Sequence, residues 1–279
     1  MGSESRNINF VKLNSKRRFH IIMKNYHVDM KNGSVRTDIL QSKFTREIYE
    51  MIDPMVGLAK YTLESTEYMA SGSEKFQTWT FAKGAEFYNT LYSIDLDEYY
   101  RIIKEHGNSE KKFYPTLEEC FSKYPKLPSV YLLIMQVLDI ISFDSYLCLI
   151  NTRRRDSNIT KEYTRLEELS KKNTGIGAGQ YSDTSYYYND DFYVRLIGNG
   201  LYEGKECWIY DYYAEPSSVF MKDAKSGRTK NSKSIYSGRL YVKKEDGECI
   251  GGEMNENVVP IGTKSNFVNR RVVLEMEGL

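Results

Sequence analysis

Few residues of this chain are spaced for chemistry. The histidines His20, His27 and His106 are scattered, and His20 and His27, seven apart, would face opposite sides of a strand, which makes them poor co-ligands. The cysteines Cys120, Cys148, Cys207 and Cys249 form no C-x-x-C pair, so no metal is expected. Two disulfides, Cys207–Cys249 and Cys120–Cys148, and buried free thiols are both compatible with their placement. The GIGAG tract at 175–179 lacks the Lys-Ser/Thr of a phosphate loop, and Gln180 stands where a dinucleotide fingerprint needs its third glycine. It reads as a helix stop and loop, and no cofactor is expected. G-x-S-x-G, H-E-x-x-H and H-x-E…C-x-x-C patterns are absent.

Carboxylates are the remaining catalytic candidates: Asp95, Asp97 and Glu98; Asp190 and Asp191; and Asp139 and Asp144. The last two lie in the apolar run 130–150 and need partners there, for which Arg195, Arg239 or Arg270 on a strand would serve. The alternatives to a binding protein are an enzyme using such carboxylates in a cleft between sheet and helices, and a structural interaction module that docks a partner through an exposed strand edge or a long loop at 215–234.

The aromatic residues point to binding instead. The chain has 24 Tyr, 12 Phe and two Trp. Alternation puts Trp208, Tyr210 and Tyr212 on one face of a strand; Trp79 and Phe81 share a face in the other half of the chain. With Tyr241 from a further strand they form the candidate ligand-binding set. On a curved sheet these stripes would line a groove for a lipid, an acyl chain or a hydrophobic peptide. Equally, they could be the core over which a helix packs.

Charge narrows the partners. Lys plus Arg number 39 against 38 for Asp plus Glu, and a net charge of +1 provides no overall field for a nucleic-acid backbone. The triplet Arg153-Arg154-Arg155 reads as a solvated helix end suited to the helix dipole.

The elements that position these residues fall in three blocks within one domain, 1–279. Residues 15–94 read mainly as strands, with a hairpin turning at 31–34, a short helix at 43–52 stopped before Pro54, an extended stretch at 60–70 and a second hairpin turning at Lys83-Gly84. Residues 95–172 read as a helical insertion. Its helices begin at Asp95 and at Pro115-Thr116, Ser129 caps the apolar one, and a final patch covers 161–172. The apolar run carries Gln136, Asp139 and Asp144. At about 2.5–3.5 kcal/mol for each mid-membrane aspartate, it is a buried helix rather than a transmembrane span. Residues 173–279 return to antiparallel strands, with turns at Tyr202-Glu203-Gly204-Lys205 and Asp246-Gly247. The last strand, 268–276, has an apolar face interrupted by Arg270. The amino terminus, MGSESRNINF, has no apolar signal-peptide core, although a removed leader stays compatible with it.

The run 202–210 (YEGKECWIY), followed by 237–242 (SGRLYV), Lys244-Glu245-Asp246-Gly247 and Gly252-Glu253-Met254, resembles the carboxy-terminal half of LolA-like lipoprotein-carrier domains. That resemblance covers about 75 residues. It implies an unclosed, strongly curved antiparallel half-barrel with helices on its concave face, and a role in holding acyl chains or in envelope-associated binding. The expectation is therefore an α+β fold and a non-enzymatic protein that binds a hydrophobic small molecule or a protein partner. An extracytoplasmic location, periplasmic or at the cell surface, is favoured over a cytoplasmic one, and the oligomeric state is left open.

Overall fold

The computed structural model describes residues 14–53, 56–79, 86–91, 143–144, 146–151, 154, 158–174, 185–222, 227–262 and 267–277. The strands are β1 (Lys16–Val28), β2 (Val35–Asp53), β3 (Val56–Met69), β4 (Gln77–Trp79), β5 (Glu86–Leu91), β6 (Thr164–Arg165), β7 (Asn173–Thr174), β8 (Tyr186–Tyr188), β9 (Phe192–Tyr202), β10 (Lys205–Lys222), β11 (Thr229–Lys243), β12 (Cys249–Pro260) and β13 (Phe267–Glu277). They form one antiparallel sheet in the order β4-β3-β2-β1-β13-β12-β11-β10-β8-β7; β5 adds to β3, and β9, carrying β6, adds to β10. The described ends of this order do not pair, so the sheet is unclosed.

Period-2 burial explains the strands. Phe19, Ile21 and Met23 of β1, Leu40, Phe44 and Ile48 of β2, Tyr236, Leu240 and Val242 of β11, and Val272 and Leu274 of β13 all go to one face. The Glu203-Gly204 turn has both φ angles positive, 49° and 72°, as a two-residue hairpin between right-twisted strands requires. Pro216, which cannot donate to a ladder, sits where the β10–β11 register slips between Ala214 and Ser217.

A single described helix, α1, has helical residues at 143–144, 146–151 and 154. Every one of them is buried. Its side chains reach Arg46 on β2 and Tyr61 on β3 in one direction, and Tyr236 on β11 and Tyr210 on β10 in the other. Laid flat, the seven strands from β3 to β10 would span about 29 Å, whereas a helix with its side chains is about 10–12 Å across. Contact with both flanks requires the sheet to curl around the helix, so the face α1 touches is the concave one.

Several expectations are corrected. Residues 43–52 are not helical: they continue β2, because Ser42, Phe44, Arg46 and Ile48 alternate inward and the segment pairs with β1 on one side and β3 on the other. Tertiary pairing overrides the helix-forming Lys, Arg and Glu. Residues 161–172 are not helical either. Thr164–Arg165 is captured by the edge of β9, and Ser170 Oγ holds the following turn by donating to the Leu166 carbonyl and accepting from the Phe192 amide. Of the helical insertion, 92–142 lies outside the described residues, as does the Lys83-Gly84 turn. Among the described residues no helix is long and apolar enough to cross a membrane.

Candidate ligand-binding face

The structure brings Trp208, Tyr210 and Tyr212 together on the concave face. Trp208 is half-buried against the core, and Tyr210 and Tyr212 are buried within it. The Tyr210 hydroxyl accepts a hydrogen bond of 3.0 Å from Arg154 Nη1, and the same guanidinium lies 4.2 Å from its ring centroid. Tyr212 stacks on Phe192 and donates to the Glu253 carbonyl at 2.9 Å. It reaches β12 across Gly238, where a Cβ would come within 2.4 Å of its hydroxyl oxygen. The glycine is what lets the ring lie over β11.

Tyr241 is not part of this arrangement. It faces the convex side, stacked on Tyr202 at 3.9 Å between centroids. Trp79 lies on β4 opposite Thr66; its side chain, and the whole of Phe81, fall outside the described residues.

Much of the polar chemistry of the concave face was not anticipated. Asp144 is buried, as its apolar surroundings suggested, but its partner is Arg46 rather than Arg195, Arg239 or Arg270. Arg46 Nη1 lies 2.8 and 2.9 Å from the two carboxylate oxygens, and the Tyr61 hydroxyl donates to one of them at 2.8 Å. The guanidinium also reaches Cys148 Sγ at 3.4 Å. Arg195 and Arg239 both bind Asp211 on the convex face, and Arg270 binds Glu256. Arg154, expected in solvent, turns inward to Asn151 Oδ1 and Tyr210. The helix end is enclosed by the sheet, so the charge seeks partners there.

Farther along the face, Tyr146, Tyr236 and Asn189 close a ring. The Tyr236 hydroxyl donates to Asn189 Oδ1 at 2.7 Å, Asn189 Nδ2 donates to Tyr146 at 3.1 Å, and the two tyrosines share a bond of 2.6 Å. Beside it, Glu256 accepts from Ser234 at 2.6 Å, lies 3.0 Å from the Tyr187 hydroxyl and pairs with Arg270 at 2.6 Å. Burial pushes Tyr61, Tyr146, Tyr187, Tyr212 and Tyr236 above the ordinary phenol range. The sequence signals for these groups were Arg46 and Glu256 at inward positions of their strands, and the Arg270 interruption of β13.

The other described carboxylate candidates, Asp190 and Asp191, are engaged in ion pairs. Asp190 is bound by Lys171, which holds its carboxyl below the usual range, and Asp191 by Arg165 at 2.7 Å. Asp95, Asp97, Glu98 and Asp139 lie outside the described residues. Among the described residues no cluster of His, Cys, Asp and Glu could hold a metal ion. Cys148, Cys207 and Cys249 are buried; Cys207 and Cys249 are free thiols, and Cys249 belongs to the concave core while Cys207 does not, so the Cys207–Cys249 bridge is not formed.

The convex face carries a cavity of about 570 Å³, bounded in part by Tyr163, Asp211, Arg239, Glu253 and Arg271. Arg195 stands over the Tyr163 ring at 4.5 Å, and Tyr163 meets Tyr213 edge-on at 4.8 Å.

No protein-family model matches the chain, and no curated protein matches it. Among solved structures it is similar to one described as lipid–protein interactions in lipovitellin, with TM-score 0.46, 10% identity and coverage of 96% of this chain and 25% of that one. The chain thus spans a quarter of the length of that protein. Others are an outer membrane lipoprotein-sorting protein domain from Vibrio parahaemolyticus (TM-score 0.13, 6% identity, 94% and 84% covered) and a DUF1329 family protein from Desulfovibrio piger (TM-score 0.12, 8% identity, 97% and 87% covered). A lipoprotein-sorting domain is therefore among the structural neighbours. All three TM-scores lie below 0.5, so none of these proteins' ligands carries over to this chain.

Proposed function

We propose that the protein is a non-enzymatic, extracytoplasmic binding protein that holds a lipid or acyl chain on the concave face of its sheet. In this reading α1 occupies the ligand's place when no ligand is bound. The observation that carries the proposal is an unclosed sheet curled around one helix buried on every described residue. Trp208, Tyr210 and Tyr212 form one wall of the site, and Trp79 and Phe81 are the aromatic candidates that the amino-terminal half of the sequence adds.

Magnitudes decide which ligands could compete. Phe143, Tyr146, Leu147, Leu149 and Ile150 are the large apolar side chains α1 buries, at roughly 1.5–3 kcal/mol each. An acyl chain gains about 0.8 kcal/mol per methylene, so about 14 methylenes are needed to replace them. Long chains compete with the helix and short ones do not.

Organic extraction of the natively purified protein, followed by mass spectrometry, should recover a long-chain lipid. Titration with a 16-carbon fatty acid should saturate, an 8-carbon acid should not bind, and Trp208→Ala should weaken the long-chain complex. No extractable lipid together with no saturable long-chain binding would sink the proposal.

A protein partner is the second reading, favoured by the convex cavity. Its tyrosine and arginines are residue types enriched at interfaces. Arg239→Glu would then abolish partner capture and leave fatty-acid binding unchanged.

A further inference from the structure

The antiparallel register gathers the hairpin tips at one end of the sheet. Val28 pairs with both Val35 and Phe267, Tyr68 with Gln77, Ser232 with Pro260 and Lys222 with Thr229, so the connections β1–β2, β3–β4, β10–β11 and β12–β13 all turn at that end. Two of the tips are tied together: the Thr37 amide donates to Ser71 Oγ at 3.2 Å and the Ser71 amide to Asp38 Oδ1 at 3.3 Å.

This end is unlike the rest of the described surface in two respects. Six of the eleven exposed large apolar side chains lie on it: Met30 (60% exposed), Val35 (55%), Phe76 (40%), Tyr186 (40%), Val259 (43%) and Ile261 (55%). It is also basic. Lys31, Arg36, Lys75, Lys222, Arg228 and Lys230 stand against Asp29, Asp38 and Glu74, six cations to three carboxylates, whereas the whole chain carries only +1. Two of those carboxylates are already engaged: Asp29 caps the Lys31 amide at 2.8 Å, and Asp38 lies 3.1 Å from His27 Nε2. Lys31, Lys75, Lys222 and Lys230 make no ion pair among the described residues. Among the described residues the opposite end has the reverse balance, with Glu50, Asp53, Glu203, Glu206, Glu245, Asp246 and Glu248 against Lys16, Arg17, Lys205, Lys243 and Lys244.

We propose that this end of the sheet docks on an anionic lipid bilayer, Met30, Val35, Phe76 and Ile261 entering the headgroup boundary and the lysines and arginines meeting lipid phosphates. Apolar wedges flanked by cations are the combination an anionic bilayer surface retains. The wedges sit on separate tips rather than along one groove. A fluid surface adapts to such spaced points, whereas a folded protein partner would need packed complementarity between them. The inference goes beyond the ligand reading and does not depend on it.

Co-sedimentation of the full chain with vesicles tests it. Binding is expected to vesicles of phosphatidylcholine with about 30% phosphatidylglycerol, and to be about tenfold or more weaker on phosphatidylcholine alone or in high salt. The pairs Lys31→Glu with Lys75→Glu, and Met30→Asp with Phe76→Asp, should each lower binding about tenfold or more while thermal melting is unchanged. The pair Leu201→Asp with Lys205→Glu, at the opposite end, should leave binding intact. Failure to sediment with anionic vesicles, an equal loss in the opposite-end pair, or no loss in either rim pair would overturn the proposal. If fatty acid binds but anionic vesicles do not, the docking inference alone fails; the reverse result removes only the ligand reading.

Discussion

Arg46 and Asp144 are the charged pair on which the seating of α1 most depends. Both are buried, and the carboxylate is satisfied by two contacts from Arg46 and one from the Tyr61 hydroxyl. Such a pair adds little net stability over an apolar replacement, but removing one member takes from the other the countercharge it faces in the core. Asp144→Ala should therefore destabilise the protein by about 3–5 kcal/mol in urea unfolding, while Arg46→Met with Asp144→Leu should recover most of that loss. A double variant as unstable as the single one would show that the ion pair itself, and not the buried charge left behind, holds the helix.

At the scale of elements, α1, β8, β10 and β11 meet through tyrosines. Tyr146, Tyr187, Tyr212 and Tyr236, together with Tyr61 on β3, have phenols that burial pushes upward. A raised folded-state pKa stabilises the fold fully below the unfolded value, about 10 for tyrosine, and that stability is lost as pH climbs above it. Each such group costs about 1.4 kcal/mol per pH unit beyond that point, and five acting together exhaust a typical stability of about 5–15 kcal/mol within one or two units. Ultraviolet titration should accordingly show these five ionising together with cooperative unfolding near pH 11–12, after the exposed tyrosines have titrated. Gradual ionisation of all tyrosines near pH 10 would contradict their burial.

For the whole molecule, the consequential pairing is β1 with β13. It joins strands from opposite ends of the chain, Arg18 to Glu277 through Val28 to Phe267, and makes one sheet of the amino- and carboxy-terminal halves. Only with that seam in place can the sheet wrap α1 from both flanks. Deleting residues 267–279 would leave β1 and β12 as long unpaired edges with apolar inward faces. The truncated chain should aggregate or lose its cooperative thermal transition, as read by light scattering and circular dichroism. A monodisperse protein with a sharp transition would mean that the two halves fold separately.

Local patterning in the sequence was enough to place most strands, the Glu203-Gly204 and Asp246-Gly247 turns, the common face of Trp208, Tyr210 and Tyr212, and the need of Asp144 for a buried cation. Each of these depends on alternation, turn chemistry or the cost of an unpaired charge, all readable within a few residues. It could not decide that 43–52 is strand, because that depends on the ladders β1 and β3 offer on either side. Nor could it select Arg46 over Arg195, Arg239 and Arg270, or turn Arg154 inward to Tyr210, or put Tyr241 behind the sheet from the aromatic wall it was grouped with. The face of Tyr241 follows from the β10–β11 register, which sets it opposite Ile209 rather than Tyr210, and the other outcomes follow from curvature. Only when the sheet curls do β2 and β10 face the same helix, and contacts between strands far apart in both sequence and sheet order leave no periodic trace in the chain.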